Sequence, residues 1–284
     1  MMIALIARLQ MRELVRRRLA LVAGLLTVII GALTAWGLYS LVHHVGRNGT
    51  TLSEPMVRAA AANIVILLAF FFTIALATGA ALVAAPALAG EVESGVALVI
   101  LARSIRRSEI VAGKWIGTLV AIGMYAVLAA GLELALVRAV TGYLPPHPFV
   151  ALAYLFGVAA VICTAALALS ARLPAIAAGI VAVLLYGVAW IGGILGAIGT
   201  SLDNERLVDA GTIISLIFPS DALWRGAIYA LEPAVFVAAA NTVNTGGNPF
   251  AVAAPPPAAM LIWSAGWIAV VFALAVALFR RRDI

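Results

Sequence analysis

The sequence predicts an all-α polytopic membrane protein with six transmembrane helices, and three observations carry that prediction. Of 284 residues, 65% are hydrophobic and only 11% are charged, against about 45–50% and 25% in soluble domains. Charge-free apolar runs long enough to cross a bilayer recur along the chain. The cations that do occur, 17 Arg and one Lys, cluster between those runs. This balance excludes a water-soluble enzyme, a disordered chain and a nucleic-acid-binding module. The single cysteine, Cys163, lies in an apolar run, so there is no disulfide framework and no thiol-rich metal site.

Residues 1–18 read as an interfacial helix. Arg8, Arg12, Arg16 and Arg17 share one face, while Ile3, Ala7, Met11, Leu14 and Val15 gather on the other; Leu5 and Leu9 break the pattern. The apolar stretch that follows exceeds a signal-peptide core, so no cleavable leader is expected. A crossing helix needs roughly 20 apolar residues, and spans are predicted at 19–42, 59–89, 115–140, 149–171, 174–200 and 258–279. The second run is too long for one perpendicular crossing, and Pro86 marks an exit or a kink. Pro174 divides the fourth span from the fifth, because the residue before a proline avoids helical geometry. Pro255, Pro256 and Pro257 place the start of the sixth near Ala258.

Orientation follows from the cations. Thirteen fall in the N-terminal helix, the 91–114 loop, Arg172 and the tail Arg280, Arg281 and Arg282. Arg47, Arg58, Arg206 and Arg225 fall on the other side. The positive-inside rule then puts both termini in the cytoplasm, with membrane lipid around the bundle.

Two connecting segments are more than loops. In 91–114, Glu91, Glu93 and Gly95 precede an apolar stretch containing Val99, Ile100 and Leu101, and Arg103, Arg106 and Arg107 follow. Acidic residues first and basic residues last suit a short helix and its macrodipole. A second helix is expected to begin at Ser108, capped by its hydroxyl, and to run through Lys114 into the third span. Two readings stand open: an apolar knob that docks into a groove on a cytosolic partner, or an interfacial loop that packs on its own bundle. In the external segment 203–257, Leu207–Phe218 and Asp221–Leu231 are helix-sized and separated by Pro219. They predict a half-buried hairpin with Trp224 and Tyr229 at headgroup depth. The stretch 241–249 reads as an exposed loop.

Catalytic chemistry is not evident. The only Gly-Lys pair, Gly113-Lys114, is followed by Trp115 and has Ser108 where a phosphate loop needs its first glycine. No cofactor is therefore expected in this chain. His43, His44 and His147 lack metal-ligand spacing, so no metal site is expected. No Ser–His or Asp–Asp pair lies in the spans to suggest an intramembrane protease. Asn48-Gly-Thr50 matches a glycosylation sequon, with nothing else to suggest a eukaryotic secretory chain. Glu133 and Arg138 are the charged residues within the spans, and intramembrane charge is costly. Glu133 could line a translocation path or a dimer seam, or form a register-fixing pair. Gly192 and Gly196 form a small-xxx-small pair that could face a second copy or pack within one bundle.

The wording of 91–114 resembles the loop after the second span of ABC-2 type transporter permeases. Glu91, Gly95, Leu98, Leu101, Arg107, Ile110, Gly113 and Lys114 match the pattern; Val96 and Arg103-Ser104 depart from it. The layout also agrees across the whole chain. The resemblance implies that 91–114 is the ATPase-coupling segment of a permease working as a dimer with a second permease copy. It implies separate cytosolic ABC ATPase subunits that bind ATP and magnesium. An exporter in a bacterial inner membrane is the expectation. An ion-coupled transporter or channel using Glu133, or a non-transporting scaffold, are the alternatives.

Overall fold

Apolar runs of two dozen residues leave their backbone polar groups without water, and in hydrocarbon only helices and closed barrels satisfy them. The computed structural model describes residues 2–16, 18–43, 53–93, 106–235, 252 and 254–282. Among these are ten helices: α1 (Met2–Arg16), α2 (Arg18–His43), α3 (Glu54–Ala84), α4 (Pro86–Glu93), α5 (Arg107–Thr141), α6 (Pro148–Ser170), α7 (Ala175–Ser201), α8 (Glu205–Ile217), α9 (Ser220–Leu231) and α10 (Ala258–Arg280). Six candidate spans are long and apolar enough to cross a membrane: α2, α3 continued by α4, α5, α6, α7 and α10.

Prolines and one glycine punctuate the bundle. Ala85 stays helical and donates its N–H to the Ala81 carbonyl, so α3 runs on into α4 past Pro86 as one span. Pro148 opens α6, where its missing N–H costs nothing. Gly142 ends α5 in the left-handed conformation, φ 68°, with its N–H on the Arg138 carbonyl.

α6 is the axis of the fold. It packs against α3, α5, α7, α9 and α10, and every residue from Val158 to Ala168 is buried. That stretch is rich in alanine, which lets neighbouring backbones approach where lipid supplies no hydrophobic drive between helices. α2 stands at the edge. It leans on α5 and barely meets α3, leaving Leu21, Leu25 and Trp36 exposed. α8 and α9 meet at a bend of 101° around Pro219; α8 lies along α7, and α9 against α6.

Two local expectations are corrected. α5 begins at Arg107, not Ser108: its N-cap is Arg106, whose backbone N–H donates to Glu109 Oε2 at 3.2 Å. The Glu109 carboxylate three positions on caps the end that the Ser108 hydroxyl was expected to cap. In α1, the side turned to the bundle is Ala7, Gln10 and Leu14, while Val15 is exposed like Leu5 and Leu9. The reason is that α1 docks through close backbone contact with two glycines of α5, which a broad apolar face is not needed to achieve.

Candidate functional site: the anchors of the 94–105 segment

The residues that bracket 94–105 are fastened to the ends of several helices. α5 has 35 residues, about 52 Å at 1.5 Å per residue, well beyond the ~30 Å of a hydrocarbon core. Its first turns are therefore free to act as a platform at the basic end of the bundle. α4 brings Glu91 and Glu93 to the same level.

Lys114 Nζ lies 2.6 Å from Glu91 Oε1 and donates to Gln10 Oε1 at 3.3 Å. Lys114 is buried, at 5% exposure, so its charge has been taken from water and answered within the chain. One cation thus ties α1, α4 and α5. Glu93 Oε1 accepts the Ala175 N–H at 2.9 Å, placing a carboxylate at the N-terminus of α7 where the macrodipole favours it.

The other root is held by Arg107. Its Nη1 donates to the carbonyls of Phe279, Arg280 and Arg282 at 3.3, 3.0 and 2.7 Å. Those carbonyls lie at and just past the end of α10, where the macrodipole draws cations; the Phe279 carbonyl also accepts the Arg282 N–H. Arg282 repeats the device one helix over, donating from Nη1 to the carbonyls of Ser170 and Ala171 at the end of α6. Beneath this layer, Trp115 Nε1 donates to Thr164 Oγ1 at 2.9 Å, and its ring lies 4.8 Å from that of Phe272.

Gly113 and Gly117 seat α1 on this platform. A Cβ at Gly113 would lie 2.6 Å from Ile6 Cβ, and one at Gly117 would lie 2.5 Å from the Ala7 carbonyl oxygen. Sequence reading missed this pair, although glycines four apart on a helix are a recognisable close-packing signal.

Of the expected coupling residues, Glu91, Glu93, Arg107 and Lys114 come together at the roots as internal anchors, and Arg106 is exposed beside them. Gly95, Val99, Ile100, Leu101 and Arg103 lie outside the described residues.

The remaining predicted sites fall elsewhere. Glu133 lies far along α5, and its buried carboxylate has the Thr34 hydroxyl of α2 as its neighbouring donor and no cation among the described residues. Arg138 is exposed and makes no ion pair with it among those residues, since five positions turn it about 140° around the helix. Gly192 and Gly196 meet Ile214 and Gly211 of α8. Their face is occupied by the chain's own hairpin.

That hairpin is itself pinned. Asp221, buried in α9, pairs with Arg225 Nε at 2.8 Å, and Arg225 also donates to the Gly193 carbonyl of α7. Trp263 and Trp267 of α10 donate their indole N–H groups to the Leu216 and Ile217 carbonyls, at 2.9 and 2.8 Å. Two orphan carbonyls at the end of α8 are thereby satisfied. Further out, burial pushes the Glu232 carboxyl up to about 7, although the Val252 N–H donates to it and works in the opposite direction.

A family model for the ABC-2 family transporter protein matches residues 4–284. The chain belongs to the ABC-2 transporter family. It is a membrane permease of that type, and the match runs through the α1 platform, both roots of the 94–105 segment and the pinned hairpin alike. No curated protein matches the chain. Glu91, Arg107 and Lys114 fix the two described ends of the connection between the second and third spans.

Proposed function

We propose that this permease works as a dimer driven by separate ABC ATPase subunits, which bind ATP and magnesium, and that 91–114 is where those subunits push. The carrying observation is the double root: before the segment, Glu91 of α4 is tied through Lys114 to α5 and α1, and after it, Arg107 ties the start of α5 to α10. A displacement applied between them is delivered to several helix ends at once. It biases a bundle that has two packings, as in rigid-body switching. The 13 cations assigned to this end support a cytoplasmic location for both termini in a bacterial inner membrane. Export is the direction this reading favours.

The test is reconstitution with the cognate ATPase in proteoliposomes. Transport is expected to stop with a Walker-mutant ATPase. Val99→Asp or Leu101→Asp in the permease is expected to release the ATPase on co-purification. Transport that persists without ATP hydrolysis would overturn the reading, and unchanged association would remove 91–114 as the docking element.

A further inference from the structure

We infer that the space between α2, α3, α5 and α6 is a binding site for a hydrophobic monocation, an elongated amphiphile with one cationic head. A cavity of about 110 Å³ lies there, roughly tenfold the ~10–15 Å³ a single water requires. Its wall is apolar except at a few points. Thr27 donates to the Ala23 carbonyl, so the 3.0 Å contact between the Thr27 and Tyr125 hydroxyls has Tyr125 as donor, and both are answered. Glu133 has the Thr34 hydroxyl of α2 beside it but no cation: both carboxylate oxygens are buried, and no ion pair reaches them among the described residues.

The surroundings of that carboxylate select a cation. An ionised carboxylate in an apolar wall is costly unless a positive charge or donors answer it, and Arg138 does not. Gly31 of α2 crosses close by: a Cβ there would lie 3.6 Å from Glu133 Oε1 and 2.9 Å from Leu136 Cδ1. Eight residues back along α5, about 12 Å by helix rise, Tyr125 and Phe72 line the same cavity with ring centroids 6.2 Å apart. The site therefore has a negative pole at one end and an aromatic wall along its length. That pattern takes a charged head at Glu133 and an apolar or aromatic body over Phe72 and Tyr125.

Access is lateral. Leu26 of α2 and Phe71 of α3 line the cavity and are both largely exposed on the outside of the bundle, and these two helices barely meet. A membrane-dissolved amphiphile enters between them without crossing an aqueous vestibule. Binding requires neither ATP nor a partner subunit, so this inference and the transport reading fail or succeed separately.

The experiment uses the full chain in lipid nanodiscs and a photoactivatable alkyl-trimethylammonium probe carrying a diazirine in its chain. Saturable labelling is expected on the α2 and α3 peptides that contain Leu26 and Phe71. Dodecyltrimethylammonium should compete, while dodecanol and dodecyl sulfate should be at least tenfold weaker. Glu133→Gln is expected to weaken probe binding at least tenfold and Glu133→Asp to keep most of it. Ala130→Phe, which fills the cavity and leaves the carboxylate, should also abolish labelling and decides the matter if Glu133→Gln does not fold. Non-saturable labelling, equal competition by the alcohol, or unchanged affinity in a folded Glu133→Gln would overturn the assignment.

Discussion

The Lys114 ammonium sits 2.6 Å from the Glu91 carboxylate, with the lysine almost wholly buried and the glutamate part-exposed. This contact links the end of the second span to the start of the third. A buried pair is weak evidence of net stabilisation, but breaking one side removes the charge that the other was desolvated to meet. Lys114→Met is expected to cost about 3 kcal/mol, near the low end for such pairs because Glu91 keeps some solvent contact. The Glu91→Leu, Lys114→Met double variant should recover most of that loss. Equilibrium unfolding of the two variants checks it; equal losses in both would mean that the pair itself contributes little.

Gly117→Val should lift α1 off α5, since even a Cβ would stand 2.5 Å from the Ala7 carbonyl oxygen. The chain's one cysteine, Cys163, is buried, so a single cysteine placed at Leu14, which α1 buries against the bundle, reports docking against a quiet background. Maleimide labelling at that position should be slow in the parent background and fast with Gly117→Val. Unchanged slow labelling would show that α1 tolerates the added methyls in place.

The hairpin carbonyls give a third expectation. Trp263→Phe with Trp267→Phe keeps two aromatic rings and removes both indole donors, leaving the Leu216 and Ile217 carbonyls unanswered. Each loss should cost about 0.5–1.5 kcal/mol, the range for an exposed hydrogen bond. Protease cleavage near Pro219 should rise well before the bundle melts. If susceptibility does not change, water or lipid headgroups are answering those carbonyls.

Glu232 makes stability depend on pH with a definite sign. Its carboxyl is raised from 4.5 to about 7, first by burial, so the folded chain binds this proton more tightly than the unfolded one. Its contribution is therefore complete below about 4.5 and is lost as pH rises through about 7. Parent stability should fall over that window relative to Glu232→Gln, whose neutral amide does not titrate. Melting temperatures of the two proteins from pH 4 to 8 test this, and parallel curves would refute it.

Much of this architecture is legible in the sequence because its signals are local. Apolar runs announce the spans, Pro174 and Pro257 mark where helices begin, and Pro219 announces the bent hairpin. The anchors are not legible in that way. Arg107 reads as a docking cation because nothing near it in sequence hints at carbonyls more than 170 positions away. Gly192 and Gly196 announce close packing but not the partner, and α8 proves to be that partner. Gly113 and Gly117 carry an equally clear close-packing signal, but their partner, α1, lies some hundred residues upstream. Glu133 could be singled out by cost alone, but its cavity depends on four helices and on how loosely α2 meets α3.

The hold of α10 on Arg107 also sets an order of events during synthesis. The acceptor on Arg282 lies 175 residues downstream of Arg107. The root of the 94–105 segment therefore cannot close until the last helix has been made and has folded against its neighbours. Until then the nascent chain carries an unfinished handle. A partner that recognises the closed form would assemble only with chains made through Arg282, which makes that turn a checkpoint on assembly.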